Sequence, residues 1–183
     1  MSFEHMQQVF NEADCLYTLE QVNAEVERMA NQITLALSAA NPLVLVVMNG
    51  GLVFAGQLLP KLHFPLQLDY LHASRYGDQT QGVHLNWRVE PATHLADRDV
   101  LIVDDILDEG KTLQEIIAFC EQQGAKRVMT AVLAEKQHSR KTDINLQADF
   151  CGLQLVDRFV FGFGMDYQGF WRNAPGIYAV KGL

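Results

Sequence analysis

Residues 100–113 read VLIVDDILDEGKTL. Val100, Leu101, Ile102 and Val103 make a short, branched apolar run of the kind that forms one buried strand. The run ends in adjacent carboxylates, Asp104 and Asp105. Asp108 follows, and then Gly110, Lys111 and Thr112 open a segment with helical spacing. In that segment Leu113, Ile116, Ile117 and Cys120 share one face, Thr112 and Glu115 fit a capping box, and Gly124 supplies a stop. The spacing therefore predicts a strand over 99–104, a loop, and a helix over 112–123. Backbone N–H groups at a helix start have no partner within the helix. They suit a phosphate, and a glycine lets it approach. Ionised carboxylates only accept hydrogen bonds, which suits the hydroxyls of a sugar. The segment is not a Walker A loop, which needs a glycine at position 105, where Asp105 stands.

Reading outward, Leu19, Val22, Val26, Met29, Ile33 and Leu37 recur at spacings of three and four and predict a helix over 18–38. Thr18 and Gln21 form its capping box, and Asn41-Pro42 lies beyond its end. LVLVVM at 43–48 is a strand apolar on both faces, as in parallel sheets. Asn49-Gly50-Gly51 breaks it before a helix over 52–62, and 66–72 is the next strand. A polar loop over 74–82 precedes the alternating Val83, Leu85, Trp87 and Val89, so loop and flanking strands read as a hairpin-like flap. Strands over 128–134, 150–156, 159–161 and 177–180 complete the reading. Alternating strands and helices imply an α/β fold with a mainly parallel sheet. Ligands of such sheets bind at the carboxyl ends of strands. Residues 49–51, 104–112 and 135–136 are therefore the candidate site loops.

The 183 residues fit a single domain, with 49% hydrophobic and 20% charged residues. Fourteen Lys and Arg against 22 Asp and Glu give a net charge of -8, the wrong sign for a general nucleic-acid or anionic-membrane binder. Residues 43–48, the longest apolar stretch, are too short to span a bilayer. Cys15, Cys120 and Cys151 lack zinc-site spacing. Their odd count, and a first stretch MSFEHMQQVF without a signal-peptide pattern, give a cytoplasmic expectation. The six histidines are scattered and none is assigned to catalysis.

The strand–loop–helix at 100–113 resembles the signature of the type I phosphoribosyltransferases. The resemblance implies that fold, a central mainly parallel sheet flanked by helices, with a small hood and a mobile flap loop. It implies that Asp104 and Asp105 hold the ribose hydroxyls. The backbone of Asp108, Glu109, Gly110, Lys111 and Thr112, with the Thr112 hydroxyl, would hold the 5′-phosphate. Position 109 is Glu where the family usually has Thr or Ser. A carboxylate beside a phosphate must point away, so this contact is expected from the backbone.

RFVFGFGMDYQGFWR at 158–172 extends the resemblance to the hypoxanthine-guanine phosphoribosyltransferases, from about Leu43 to Val180. By that resemblance Phe159 stacks on a purine, the Val160 backbone meets its edge, and Lys136 donates to O6, which excludes adenine. Asp166 lies at the purine end and, with Asp104 and Asp105, reaches Mg²⁺. Asn49, Gly50 and Arg172 hold pyrophosphate, although Asn49 stands where the family has a basic residue. Phe161 and Phe163 read as packing. Ser74, Arg75 and Tyr76 belong to the flap, with Arg75 in place of the customary Ser. Asp108 is the general base toward purine N7. The implied partners are phosphoribosyl pyrophosphate and a 6-oxopurine, with no nucleic acid or membrane, in a homodimer or homotetramer. A xanthine preference and an RNA-binding, nucleotide-sensing regulator are the competing readings. For the latter, Lys126-Arg127 and the run 136–141 are the only basic clusters, and both read as solvated edges.

Overall fold

The computed structural model describes residues 2–76, 84–141 and 146–182. Its elements run in the order α1 (Phe3–Glu12), β1 (Asp14–Thr18), α2 (Leu19–Leu37), β2 (Leu43–Val47), α3 (Gly51–Leu58), a short 3₁₀ turn (Leu59–Lys61), β3 (Gln67–Tyr76), β4 (His84–Val89), β5 (Asp99–Leu107), α4 (Lys111–Gln122), β6 (Arg127–Lys136), β7 (Phe150–Leu155), β8 (Val160–Phe161) and β9 (Gly176–Ala179). A six-stranded sheet has the order β4-β3-β2-β5-β6-β7. All its pairings are parallel except β3 with β4. A smaller antiparallel sheet, β1-β9-β8, stands apart as a hood.

Strand periodicity explains the layers. In β2, Val44 and Val46 face α2 and α3, while Leu43, Leu45 and Val47 face the other side. Strand β5 alternates likewise, with Leu101 and Val103 on the first face and Val100 and Ile102 on the second. The second face is covered by Leu113, Ile116 and Cys120 of α4. Because both faces are buried, these strands are apolar at every position rather than at every second one.

The two helix starts differ. Helix α2 has the expected capping box, with Thr18 Oγ1 accepting from the Gln21 N–H and Gln21 Oε1 accepting from the Thr18 N–H. Helix α4 does not have the one expected of Thr112 and Glu115. It begins at Lys111, and its cap is Gly110 at φ 85°, without a side-chain hydrogen bond. Thr112 thus lies inside the helix, where its hydroxyl cannot cap. At its other end the Gly124 N–H donates to Glu121 O and the Ala125 N–H to Cys120 O, the pair of bonds that closes a Schellman turn.

Other boundaries shift for reasons of pairing. Strand β5 extends past Asp104 to Leu107 because β6 stays hydrogen-bonded to it as far as Leu107 opposite Glu135. The helix expected over 52–62 gives way at Leu59 to the 3₁₀ turn that holds Pro60. Ser74, Arg75 and Tyr76 belong to β3 rather than to a loop, opposite Asn86, Leu85 and His84. Their side chains, and the loop residues 77–83 with Val83, lie outside the described residues. Helix α1 and β1 have no counterpart in the sequence reading. Met6 of α1 is buried, Phe10 stacks on Trp171 at 4.7 Å, and β1 forms the hood edge against β9.

The rotation of α2 can be checked by mutation. Ile33→Ala removes a fully buried side chain and is expected to cost ~2–5 kcal/mol in urea unfolding. Leu35→Ala, at a position 87% exposed, is expected to change stability by no more than about 0.5 kcal/mol. Equal losses would contradict this face assignment.

Candidate active site

Strand β2 leads through α3 to β3 on one side, and β5 leads through α4 to β6 on the other. The chain therefore diverges between β2 and β5, the switch point where α/β sheets open a crevice. Pairing between them stops at Val46 opposite Val103. Asp104 and Asp105 are the next residues of β5, so they face the gap left where β2 turns away at Asn49-Gly50. The peptide bond between Met48 and Asn49 is cis. A cleft of about 470 Å³ occupies this gap. It is lined by Asn49, Gly50, Asp104, Asp105, Asp108, Thr112, Lys136, Phe159, Val160, Asp166 and Arg172, among others.

The two aspartates are held close. The Asp105 N–H donates to Asp104 Oδ1 at 2.9 Å. Burial and the neighbouring Asp105 charge push the Asp104 carboxyl well above its ordinary value. Burial also raises Asp105, although its bond to Asp104 and the Arg172 charge work in the opposite direction. A Cβ on Gly50 would overlap the Asp105 carboxylate, so the turn can approach this closely only as glycine.

The loop between β8 and β9 closes the cleft from the hood side. Arg172 reaches Asp166 Oδ1 at 2.5 Å and Asp105 Oδ2 at 3.8 Å, and donates to Gly164 O at 2.6 Å. Asp166 Oδ2 accepts from the Gly169 N–H at 2.6 Å. Gly164, at φ 111°, lies against Gly50 O and the Asp105 side chain, where any Cβ would collide. The Phe159 ring is 43% exposed and meets Tyr167 edge-on at 5.5 Å. Val160, Phe161 and Phe163 are buried, in keeping with packing roles for Phe161 and Phe163.

At the opposite wall, Lys136 ends β6, is only 9% exposed, and donates to Asp108 Oδ2 at 2.9 Å. The Asp108 Oδ1 lies 2.6 Å from His138 Nε2. Burial opposes ionisation of Asp108, but the hydrogen bonds from Lys136 and His138, with the Lys136 charge, outweigh it and hold the carboxyl below its ordinary value. In the loop between them and α4, Glu109 pairs with Lys111 at 3.2 Å. The Gln114 N–H is the first in α4 to find an intrahelical acceptor, Gly110 O at 2.9 Å. The N–H groups of Lys111, Thr112 and Leu113 precede it as donors with no helical acceptor.

The structure thus brings Asn49, Gly50, Asp104, Asp105, Asp108, Thr112, Lys136, Phe159, Val160, Asp166 and Arg172 to one cleft. Sequence reading missed His138, and also His72 and Arg88, which line the cleft from β3 and β4. No motif marked these three. The expectation of solvated basic edges holds for Lys126 and Arg127, whose side chains stay exposed while reaching Asp99. It is corrected in the run 136–141, where Lys136 is buried and Lys141 pairs with Glu135 with both side chains largely covered. Arg140 forks onto Asp157 at 2.6 Å through both nitrogens. Burial pushes the Cys120 and Cys151 thiols up to about 12, which leaves neither as a ready thiolate nucleophile.

Among the described residues no three His, Cys, Asp or Glu side chains converge on a point that would cage a metal. The carboxylates at the cleft come as a pair, Asp104 with Asp105, and singly as Asp166. That donor set fits Mg²⁺, which keeps waters and is bound through one or two carboxylates together with substrate phosphates. No helix among the described residues is long and apolar enough to cross a membrane.

The sequence matches the phosphoribosyl transferase domain family over residues 12–168. It is 31% identical to the hypoxanthine-guanine phosphoribosyltransferase of Bacillus subtilis over 91% of this chain and 92% of that protein. It is 26% identical to the hypoxanthine-guanine-xanthine phosphoribosyltransferase of Tritrichomonas foetus, over 91% and 90% of the two chains. The solved structure of a hypoxanthine phosphoribosyltransferase from Staphylococcus aureus superposes with a TM-score of 0.87 at 27% identity, over 98% of this chain and 95% of that one.

The raised Asp104 carboxyl has a consequence for stability. Its proton is held more tightly in the folded chain than in the unfolded one. Stability from this group therefore falls as pH rises from the ordinary carboxylate value toward the raised one. Without substrates or divalent cations, Asp104→Asn is expected to raise the thermal midpoint near neutral pH. The gain should shrink as pH falls into the carboxylate range, where wild type is protonated too. A midpoint at or below that of wild type near neutrality would contradict the buried repulsion.

Proposed function

Because the chain belongs to the phosphoribosyltransferase family, we propose that its cleft transfers the 5-phosphoribosyl group of phosphoribosyl pyrophosphate to hypoxanthine or guanine. The products are IMP or GMP and pyrophosphate, a purine-salvage reaction. The observation that carries this reading is the pairing of Lys136 with Asp108 beside the exposed Phe159 ring. A cation suited to O6 and a carboxylate suited to N7 stand side by side, next to a flat surface on which a purine can stack. A 6-amino group would present a donor to the Lys136 donor, so adenine is disfavoured.

In this proposal Asp104 and Asp105 accept from the ribose hydroxyls. The N–H groups at the start of α4 and the Thr112 hydroxyl take the 5′-phosphate, while Glu109 stays on Lys111. Arg172 and the Asn49-Gly50 backbone take the pyrophosphate. Purine N9 forms its bond to the anomeric carbon as the carbon–oxygen bond to pyrophosphate breaks. Positive charge grows on the ribose, Arg172 faces the charge on the leaving group, and Asp108 takes the proton from N7. Mg²⁺, held with the donor by Asp104, Asp105 or Asp166, would neutralise pyrophosphate charge.

The strand that carries His72 and Ala73 to the cleft continues through Ser74, Arg75 and Tyr76, so the flap role belongs to the same proposal. So do a single functional domain over the whole chain, a cytoplasmic location and a homodimeric or homotetrameric state. The cysteines, all free of disulfides, support the location. Exposed Leu52, Leu68 and Tyr70 around an apolar cleft between α3 and β3 support assembly.

The deciding assay offers hypoxanthine, guanine, xanthine and adenine with the donor and Mg²⁺. Turnover of the 6-oxopurines but not adenine is expected. A preference for xanthine would reassign the base, and turnover of none would remove the reading. Asp108→Asn is expected to lower kcat by a factor on the order of 10²–10⁴. Lys136→Ala is expected to lower kcat/KM for hypoxanthine and guanine roughly ten- to a hundredfold. Normal values for both bases would take Lys136 out of base recognition.

A further inference from the structure

His138 lies just beyond the end of β6, with a side chain only 3% exposed. The Arg140 N–H donates to its Nδ1 at 3.0 Å. With Nδ1 accepting, the ring proton sits on Nε2, which donates to Asp108 Oδ1 at 2.6 Å. The backbone that fixes the ring is itself tethered, because Arg140 forks onto Asp157 on the segment leading to Phe159. Asp108 is therefore held at both oxygens, by His138 on Oδ1 and by Lys136 on Oδ2.

These two partners are not equivalent in the reaction proposed above, on which this inference rests. Lys136 must leave Asp108 at least in part to meet the purine O6. That frees Oδ2 to accept from N7. A carboxylate with one partner removed could turn about its side-chain bonds, unless the other oxygen stays fixed. We propose that His138 is a positioning residue, whose Nε2–H keeps hold of Asp108 Oδ1 so that Oδ2 meets purine N7 when Lys136 passes to O6. The fixed tautomer makes this grip one-directional, since only Nε2 faces Asp108 and only as a donor.

Other charged groups near Asp108 are Arg140 beyond the histidine, and Glu109 with Lys111 in the loop that carries Asp108. They are common to wild type and to the variants below, so differences report on His138. In Gln the side-chain nitrogen stands as many bonds from Cα as imidazole Nε2. In Asn it reaches only the place of Nδ1. His138→Gln thus keeps the donor toward Asp108, and His138→Asn removes it.

With His138→Asn, kcat is expected to fall roughly ten- to a hundredfold. The KM for the purine should change little, and the acid limb of the kcat profile should move to higher pH. His138→Gln is expected to restore both toward wild type, whatever the thermal midpoints of the two variants. Equal impairment of the two, or a wild-type profile in His138→Asn, would overturn the proposal. A carboxyl-carbon NMR titration of Asp108 in the free protein tests the grip without reference to turnover. Asp108 should titrate at higher pH in His138→Asn and return in His138→Gln, and an unmoved titration would overturn the grip. Absence of turnover in wild type would instead count against the transferase reading itself.

Discussion

Two carboxylates sit side by side at the point where the sheet divides, and the rest of the architecture follows from keeping them there. Strand β5 carries Asp104 and Asp105 beyond its last pairing with β2, so they face a crevice on one side and remain hydrogen-bonded to β6 on the other. Burying adjacent acids is unfavourable, because each loses water and repels its neighbour. Such a cost persists in a fold only where the surrounding structure leaves no alternative. Here the apolar layers on both faces fix β5, and the acids cannot withdraw without unpairing the strand from β6. In the proposed reaction, a ligand that brings hydroxyls and a cation would relieve that cost.

The hood serves the same constraint from the other side. Arg172 comes within 3.8 Å of Asp105, and it hangs on a loop whose course depends on contacts remote in sequence. Trp171, next to it, donates through Nε1 to Met6 O at 2.8 Å and stacks on Phe10, so α1 anchors the residue beside the guanidinium. Gly164 brings the same loop against the Gly50 turn. A first helix that touches none of the cleft therefore has a part in its geometry. Displacing α1 would act on Arg172 through Trp171.

What could be read from sequence tracks what is local. Residues 100–113 announced the strand, the acids and the helix because all their determinants lie within a few residues. The Thr18 capping box was legible for the same reason. At α4 the same local rule failed. Thr112 and Glu115 have the right spacing, but Gly110 adopts a left-handed cap, which moves the helix start ahead of Thr112. Helix α1 went unread although Phe3, Met6 and Phe10 have helical spacing, and its apolar side packs on the hood rather than on the sheet. The strand-end rule placed Lys136 in a candidate site loop, but only resemblance gave it a role, since a lone lysine carries no pattern. His138 carried none either. Its partner is 30 positions away, and only the pairing of β5 with β6 brings them together.

A chain of net charge -8 must still draw in a polyanion if the proposed donor is right. Among the described residues, most basic side chains near the cleft are already paired. Lys136 is on Asp108, Arg172 on Asp166, Lys111 on Glu109 and Arg140 on Asp157. Asn49 stands where a basic residue would have added another. Arg88 lines the cleft from β4, and its side chain is exposed. In the proposed reaction, further attraction comes from sources that net charge does not count. One is the set of N–H groups at the start of α4, which cannot be neutralised by a carboxylate elsewhere. The other is a divalent cation arriving with the phosphates, which turns Asp104 and Asp105 from an obstacle into an attraction. On this account recognition rests on main-chain donors and a shared cation, which is how a chain of net charge -8 can take a polyanionic donor.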